Sequence, residues 1–296
     1  MLGFINLNKP AGFTSHDCVA KIRRLLKTSK VGHGGTLDPA ATGVLPIAVG
    51  KATRLLPLFP ENKAYQAKIR LGMRTNTDDL EGDVIETKSA SHITLEQAQS
   101  LLPQFIGKIE QIPPAFSAIR RDGKRLYELA RKGEQVDVPV RTVEVYGIKV
   151  LGWDMGEYPE LEVEIACGAG TYIRAIARDL GSLLNVGGTL AALIRTESCG
   201  MKLSQSITLE EIETQVKSGC FSLISPAIAL QHLPALILSV EEVKRWMQGQ
   251  KLARSQLETP TLGFTRLNDE NGNFLGIGEL VHSETNWLII PKIVFT

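Results

Sequence analysis

The stretch Tyr-Gln-Ala-Lys-Ile-Arg-Leu at residues 65–71 alternates strictly between apolar and polar side chains. Successive side chains of a β-strand point to opposite faces, so this alternation predicts a half-buried strand. Tyr65 shares the inner face with the aliphatic side chains, and Lys68 and Arg70 take the other face. This strand and the elements around it are expected to supply most of the core.

Further elements are predicted on both sides of this strand. Leu161, Val163 and Ile165 alternate along a second strand, and an apolar helix follows from Thr171 to about Leu184. Capping-box spacing predicts four more helix starts. They are at Thr14, Thr94, Thr208 and Ser239. Because the strands group as hairpins more than as β-α-β crossovers, the predicted fold class is α+β.

The chain changes character after residue 230. From about residue 234 a capped helix ends near Gly249, and short strands turn at Asn271-Gly272, a pair favoured in tight hairpins. This pattern fits a small β barrel. We therefore expect two domains, residues 1–230 and residues 234–296.

Composition indicates a soluble globular protein. The chain has 296 residues, of which 43% are hydrophobic, and no apolar run reaches the roughly 18 residues of a membrane helix. The N-terminus lacks the layout of a signal peptide, so a cytoplasmic location and no membrane partner are expected. The four cysteines are scattered without metal-ligand spacing, which favours buried free thiols over a zinc site or disulfides.

A glycine-rich stretch (residues 32–46) holds four glycines, two prolines and one acid, Asp38. Glycines permit positive φ and close backbone approach to a ligand, while Pro39 restricts the backbone of Asp38. Glycine-rich turns with an aspartate are also common in ordinary loops. The whole stretch is more specific, and it makes Asp38 the first candidate for a functional carboxylate.

Positive charge is concentrated in two parts of the chain. Residues 1–75 contain twelve Lys and Arg against three Asp and Glu, although the formal net charge of the whole chain is +1. A second cluster, the basic segment (residues 120–132), contains six Lys and Arg. Either cluster alone is compatible with a solvated basic face. Two clusters that flank a candidate site favour a polyphosphate partner such as RNA.

A second candidate site feature is the strand-to-helix junction at residues 167–178. Gly168 and Gly170 end the strand, and the new helix presents free N–H groups that attract anions. Arg174 and Arg178 lie four residues apart on one helical face, where they can pair with a phosphate or a carboxylate. An ordinary surface ion pair is the alternative.

Taken together, these residues resemble the bacterial tRNA pseudouridine synthase B family, whose members convert uridine 55 of the TΨC loop to pseudouridine. The resemblance spans nearly the whole chain. It rests on residues 6–12, 32–46, 63–65, 71–79, 111–114, 117–118, 123–131 and 170–174. It implies a catalytic domain on a mixed, mainly antiparallel sheet flanked by helices, and a C-terminal PUA-like RNA-binding domain. The expected partner is the T stem-loop of tRNA, with a monomeric enzyme and no obligatory protein partner.

The resemblance also implies roles for individual residues. Asp38 matches the catalytic aspartate, Arg174 the arginine that pairs with it, and Tyr65 the aromatic residue that stacks on the target base. The remaining positions are expected to bind substrate or to support the site. They are His33, which helps to open the T loop, Tyr172 and Leu193, which contact the base, and Lys9, whose role is mainly structural or electrostatic.

The implied chemistry needs no cofactor and no metal. The C1′–N1 bond breaks, the uracil rotates and C5 joins the sugar, without net redox change. An ionised Asp38 can act as a nucleophile or as a base on the C2′ proton, and the sequence does not choose between these. A guanidinium beside Asp38 favours the ionised form. Tyr65 has a second candidate task, assisting removal of the C5 proton.

The target uridine lies inside a folded RNA, so it must be flipped out. We expect His33 to insert where the base leaves, and the basic segment to close over the RNA as a lid. Two other functions compete. One is a non-catalytic tRNA-binding or folding protein that uses the same surface. The other is a nucleotide-dependent transferase, but the Gly-Lys-Ser/Thr of a phosphate loop is absent.

Overall fold

The computed structural model describes residues 1–117, 120–121, 124–125, 138–257, 261–283 and 286–295. Its strands are β1 (Leu2–Lys9), β2 (Val31–His33), β3 (Thr42–Gly50), β4 (Lys63–Leu71), β5 (Met73–Thr75), β6 (Val84–Thr87), β7 (Gly107–Gln111), β8 (Arg120–Arg121), β9 (Lys124–Arg125), β10 (Arg141–Asp154), β11 (Glu160–Cys167), β12 (Gly188–Ser198), β13 (Met201–Lys202), β14 (Ala235–Leu238), β15 (Leu252–Arg254), β16 (Gly263–Asp269), β17 (Phe274–His282) and β18 (Trp287–Val294). Its α-helices are α1 (Ser15–Leu25), α2 (Leu95–Leu101), α3 (Ile173–Leu183), α4 (Leu209–Ser218), α5 (Pro226–Ala229) and α6 (Val240–Met247).

A large sheet with the strand order β1-β3-β12-β4-β11-β10-β7 forms the body of the fold, with β2 and β13 paired at its side. All its ladders are antiparallel except the short parallel contact between β3 and β12. β4 lies in the middle of this order, and Tyr65 is buried on its inner face, as the alternation predicts. The mixed, mainly antiparallel α+β architecture is confirmed.

The four predicted capping boxes are all present. The side chains of Thr14, Thr94, Thr208 and Ser239 each accept a hydrogen bond from the backbone N–H three residues on, and the residue there bonds back. α3 begins at Ile173, two residues later than predicted, because Thr171 and Tyr172 still have non-helical backbone. These caps satisfy N–H groups that the helix itself leaves unpaired.

The helices bury their apolar faces on the sheet. One core cluster joins α2 and α3 to β4, β10 and β11, and a second joins α1 and α4 to β1 and β3. Cys18, Cys167 and Cys199 are buried, whereas Cys220 is exposed, so the expectation of a buried thiol is wrong there. Cys220 directly follows Gly219, the left-handed cap that ends α4, and this places it on the surface.

The glycine-rich stretch is only partly a loop. It begins in β2, and β3 already starts at Thr42, so residues 34–41 form the connection. Gly43 has φ +101°, and a Cβ there would overlap the carbonyl oxygen of Arg195 on β12. At this position glycine permits the close approach of a neighbouring strand rather than of a ligand.

The C-terminal domain is β-rich, as predicted. Its five strands have the order β14-β16-β17-β18-β15 and surround Trp246, whose indole N–H donates to the carbonyl of Leu275. The turn between β16 and β17 contains Gly272 at φ +82°. Ile277 and Phe295 also pack into a cluster with Phe4 of β1, so the two domains share apolar contacts. No helix in the described ranges is both long enough and apolar enough to cross a membrane.

The proposed lid falls largely outside the described residues. In the basic segment, the structure describes the backbone of a short antiparallel pair, β8 with β9. Lid closure therefore stays a prediction.

The close approach at Gly43 predicts a selective loss of stability. Gly43→Ala adds a Cβ against the Arg195 backbone at a positive φ, whereas Gly200→Ala changes a glycine at φ +70° with nothing within 4 Å of the added Cβ. Both variants carry the positive-φ cost of about 1–2 kcal/mol. Gly43→Ala is expected to lose about 1–3 kcal/mol more, measured as the free energy of unfolding in urea. Equal losses in the two variants would contradict this account.

Candidate active site

An ion pair joins the glycine-rich stretch to the start of α3. Arg174 Nη2 lies 3.1 Å from Asp38 Oδ2. The Arg174 side chain is 6% exposed and the Asp38 side chain is 39% exposed. The structure thus brings together the two residues that the resemblance pairs. The carboxylate is the more accessible partner of the pair.

Arg174 is held by more than Asp38. Its Nη1 lies 3.4 Å from Asp79 Oδ2 and donates to the carbonyl of Thr77 at 2.9 Å. Its Nη2 also donates to the carbonyl of Phe116 at 3.1 Å. A buried charge needs such compensation, because an unpaired one costs several kcal/mol. Two carboxylates and two carbonyls therefore compensate the buried guanidinium and hold it beside Asp38.

A cavity of about 180 Å³ opens beside this ion pair. It contains four of the predicted site residues besides Arg174: Asp38, Tyr65, Tyr172 and Leu193. Its other lining residues are Thr36, Leu37, Lys63, Ser117, Gly170, Thr171 and Ile173. The wall combines one carboxylate, two phenol rings and aliphatic groups, which suits a planar polar ring stacked on an aromatic side chain.

Tyr65 reaches the cavity from the centre of the large sheet. It is 7% exposed, and burial raises the pKa of its phenol, while the nearby Arg195 guanidinium acts in the opposite direction. The net direction is upward, so the phenol is neutral at physiological pH. A neutral phenol can stack and hydrogen-bond, and it needs a proton acceptor before it can act as a base.

Tyr172 is positioned by a side chain from another strand. The Gln111 amide accepts a hydrogen bond from the Tyr172 N–H at 2.9 Å and donates to the Tyr172 carbonyl at 3.1 Å. Gln111 ends β7, so this double hydrogen bond ties the edge of the sheet to the first residue before α3. Burial also raises the pKa of the Tyr172 phenol.

Hydrogen bonds restrain the backbone on both sides of Asp38. Ser15 Oγ accepts from the Leu37 N–H at 2.9 Å and lies 3.2 Å from the Leu37 carbonyl. On the other side, Lys9 Nζ donates to the Pro39 carbonyl at 3.0 Å and to two further carbonyls, of Pro10 and Phe13. The Lys9 side chain is fully buried and lies outside the cavity lining, and burial lowers its pKa. This geometry supports the structural role expected of Lys9.

Arg195 is a functional candidate that the sequence argument did not identify. It is fully buried on β12, and its guanidinium donates to the carbonyls of Val44, Thr36 and Gly35 at 2.7, 3.1 and 3.2 Å. These bonds fasten the connection before Asp38 to the sheet. A signal was available: Arg195 follows Leu193 by two residues in a strand, so both side chains share a face.

His33 lies at the end of β2 and is absent from the cavity lining. Its ring packs edge-on against His16, with ring centroids 5.6 Å apart. Burial, followed by the neighbouring His16, lowers the pKa of His33, so its ring is uncharged at neutral pH. Its Nδ1 is buried without a hydrogen-bond partner in the described part of the chain. Insertion of this ring into RNA stays a prediction.

Arg178, the second arginine of the junction, pairs with carboxylates away from Asp38. It lies 3.0 Å from Asp78 and 2.8 Å from Asp179. Its Nη2 also donates to the carbonyl of Ile112. Asp78 and Asp79 are thus divided between the two arginines of α3. Within the described ranges, no group of His, Cys, Asp and Glu side chains could hold a metal ion.

Comparison with known proteins identifies the family of the chain. The family model for the N-terminal domain of TruB family pseudouridylate synthases matches residues 23–173, and the model for the TruB C-terminal domain of pseudouridine synthase II matches residues 234–295. Among solved structures, a chain of an H/ACA RNP bound to a substrate RNA containing 2′-deoxyuridine is similar with a TM-score of 0.74 and 26% identity, covering 99% of this chain and 85% of that one. A chain of a Cbf5-Nop10-Gar1 complex has a TM-score of 0.73 and 27% identity, with the same coverage.

Two curated relatives match along their whole length. The tRNA pseudouridine synthase B of Gloeothece citriformis is 62% identical over 301 residues, covering 100% of this chain and 98% of the relative. The protein of the same name from Trichormus variabilis is 55% identical over 296 residues, covering 100% and 99%. Because both family models match in order and the relatives align end to end, the chain belongs to the TruB family of pseudouridylate synthases.

Proposed function

We propose that this enzyme converts uridine 55 in the TΨC loop of tRNA to pseudouridine, with Asp38 as the catalytic carboxylate. The observation that carries the proposal is the contact between Asp38 and the buried Arg174, at the mouth of a cavity that also holds Tyr65 and Tyr172. The tRNA substrate follows the names of the curated relatives. An ionised acid beside a stacking surface is what an exchange of glycosidic bonds requires.

The reaction balances without an external reactant. The C1′–N1 bond breaks and a C1′–C5 bond forms, while C5 loses one proton and N1 gains one. Asp38 can open this sequence by attacking as a nucleophile or by taking the C2′ proton, and its accessible carboxylate suits either step. Tyr65, whose phenol is neutral at its ordinary pKa and stays so because burial raises that pKa, stacks on the detached uracil and holds it for rotation.

Access to uridine 55 requires that the base leave its stack in the folded RNA. Unstacking costs a few kcal/mol, which contacts with the flipped base must offset. The cavity offers Tyr65, Tyr172 and Leu193 for that purpose. The uncharged ring of His33 suits insertion between bases better than phosphate binding. We assign residues 234–296 to supplementary RNA binding in a monomeric, cytoplasmic enzyme.

Replacement of the acid separates catalysis from binding. Asp38→Asn keeps the shape of the side chain but removes its charge, so pseudouridine formation in a T stem-loop transcript is expected to fall at least about 1,000-fold. The Kd for the transcript is expected to stay within about threefold. Single-turnover tritium release and filter binding measure these two quantities.

Asp154→Asn serves as the control, because Asp154 is an exposed carboxylate paired with Lys68 on the outer face of the sheet. This variant is expected to match the unmodified enzyme in both assays. Pseudouridine at the normal rate in Asp38→Asn would contradict the catalytic assignment and favour a non-catalytic tRNA-binding protein.

The second carboxylate on Arg174 is expected to matter for rate. Asp79→Asn removes half of the charge that orients the buried guanidinium, so the single-turnover rate is expected to fall about tenfold or more with little change in RNA affinity. Rapid-quench kinetics at saturating RNA measure the rate. The double variant Asp79→Asn/Arg174→Lys should lose much less rate than the product of the two single fold-losses, because both substitutions act on one network.

Asp78→Asn is the matched control for Asp79→Asn. It changes the neighbouring carboxylate, which pairs with Arg178 instead of Arg174. This variant is expected to lower the free energy of unfolding but to keep the single-turnover rate. Equal losses of rate in the two variants would show that the turn acts only through its fold and not through Arg174.

A further inference from the structure

Lys63 is a cation in the site that the reaction described above does not use. It is the first residue of β4 and precedes Tyr65 by two positions, so both side chains lie on the same face of the strand. It lines the cavity with Asp38 and Tyr65, and it is half-buried. Its position at the cavity therefore follows from the same alternation that places Tyr65.

The ammonium of Lys63 forms no ion pair in the described part of the chain. No ion pair and no side-chain hydrogen bond joins it to a described residue, in contrast to Lys68 on the opposite face, which lies 3.0 Å from Asp154 and 3.5 Å from Glu160. Glu61 is the acidic residue nearest in sequence, but it is exposed and interacts only weakly with Lys63. Asp38 forms its ion pair with Arg174 rather than with Lys63.

A second cation, Arg195, lies near Lys63 but is not part of the cavity lining. A Cβ built on Gly35 would lie 3.8 Å from Lys63 Cε and 3.8 Å from Arg195 Nη1, so both groups border one point beside the loop that carries Asp38. Arg195 is satisfied by backbone carbonyls, which carry no net charge. Lys63 and Arg195 thus lie close to each other, and no described carboxylate forms an ion pair with either of them.

The charge of Lys63 is not balanced by an ion pair with a described residue. Burial lowers the pKa of Lys63, and repulsion from Arg195 acts in the same direction. A half-buried cation with these surroundings is stabilised when an anion approaches, because attraction between charges is stronger where water is partly excluded. A nucleotide of an RNA chain that enters the cavity brings anions with it, the two phosphodiesters that flank its ribose.

We propose that Lys63 binds a phosphodiester that flanks the target uridine and so holds the flipped nucleotide over Asp38. The proposal rests on the proposed function for the identity of the RNA. Phosphate is favoured over the base as the partner, because an ammonium is a compact charge with three N–H donors and pairs readily with phosphate. The planar face that stacks a base is already supplied by Tyr65 and Tyr172.

A charge-deletion cycle between protein and RNA tests the contact. The variants are Lys63→Met, Lys63→Arg and the control Lys68→Met, which removes a lysine from the opposite face of the same strand. Each is made in the Asp38→Asn background so that the RNA is not converted during binding. The RNAs are synthetic T stem-loops with a neutral methylphosphonate immediately 5′ or immediately 3′ of uridine 55. Filter binding at several salt concentrations gives Kd and its salt dependence.

With unmodified RNA, Lys63→Met is expected to weaken binding about tenfold and to reduce the slope of log K against log salt by about 0.7–0.9, the value for one lost phosphate contact. Lys63→Arg is expected to retain most of the affinity, and Lys68→Met to change neither quantity. For one of the two methylphosphonate RNAs, the affinity of the Asp38→Asn parent is expected to fall to that of Lys63→Met with unmodified RNA. Combining Lys63→Met with that methylphosphonate RNA is then expected to cause no further loss of affinity.

If the loss of affinity from Lys63→Met adds to the loss from the methylphosphonate at both positions, the proposal is overturned, because independent effects mean that Lys63 contacts neither phosphate. The proposal is also overturned if Lys63→Met leaves the affinity unchanged but shifts the pH profile of the single-turnover rate, measured with Asp38 intact. That result would make Lys63 a proton-transfer group. The proposed function has a separate readout in the same preparation. If the enzyme with Asp38 intact forms no pseudouridine in the unmodified stem-loop, that function fails, while the binding cycle still decides the role of Lys63.

Discussion

A guanidinium that is almost fully buried is the constraint on which the site depends. Burial of the Arg174 side chain at 6% exposure costs free energy unless other groups replace its water, and Asp38, Asp79 and two backbone carbonyls do so. These partners come from three separate parts of the chain, the glycine-rich stretch, the turn after β5 and the segment after β7. The need to satisfy one charge therefore brings the parts of the active site together.

The same contacts build the sheet and hold the loop that carries Asp38. Gly43 lets β3 approach the backbone of Arg195, and the side chain of that arginine then bonds to the loop carbonyls of Gly35 and Thr36. Together with Ser15 at Leu37, these bonds leave the backbone at Asp38 little freedom. A reactive group held this way loses little entropy when substrate binds, which is the physical advantage of preorganisation.

Local signals made much of this fold predictable from sequence. Alternation identifies the inner face of β4, and short-range capping patterns locate the starts of four helices. The motifs that contain Asp38 and Arg174 identify both residues from the sequence. The supporting groups are not identified in this way, since Arg195 acts on Gly35 across 160 positions and no periodicity encodes such a pairing. Cys220 was mispredicted because burial of a thiol depends on tertiary packing, which composition does not reveal.

The division of exposure within the ion pair has a mechanistic consequence. Asp38, the more exposed partner at 39%, is the group that can reach a substrate atom, whereas Arg174 stays behind it. When the carboxylate forms a bond or takes a proton, its negative charge is lost, and a guanidinium with a single partner would then be left uncompensated. Asp79 keeps a negative charge on Arg174 throughout the proposed reaction. The second carboxylate thereby allows the first one to react without leaving a buried charge alone.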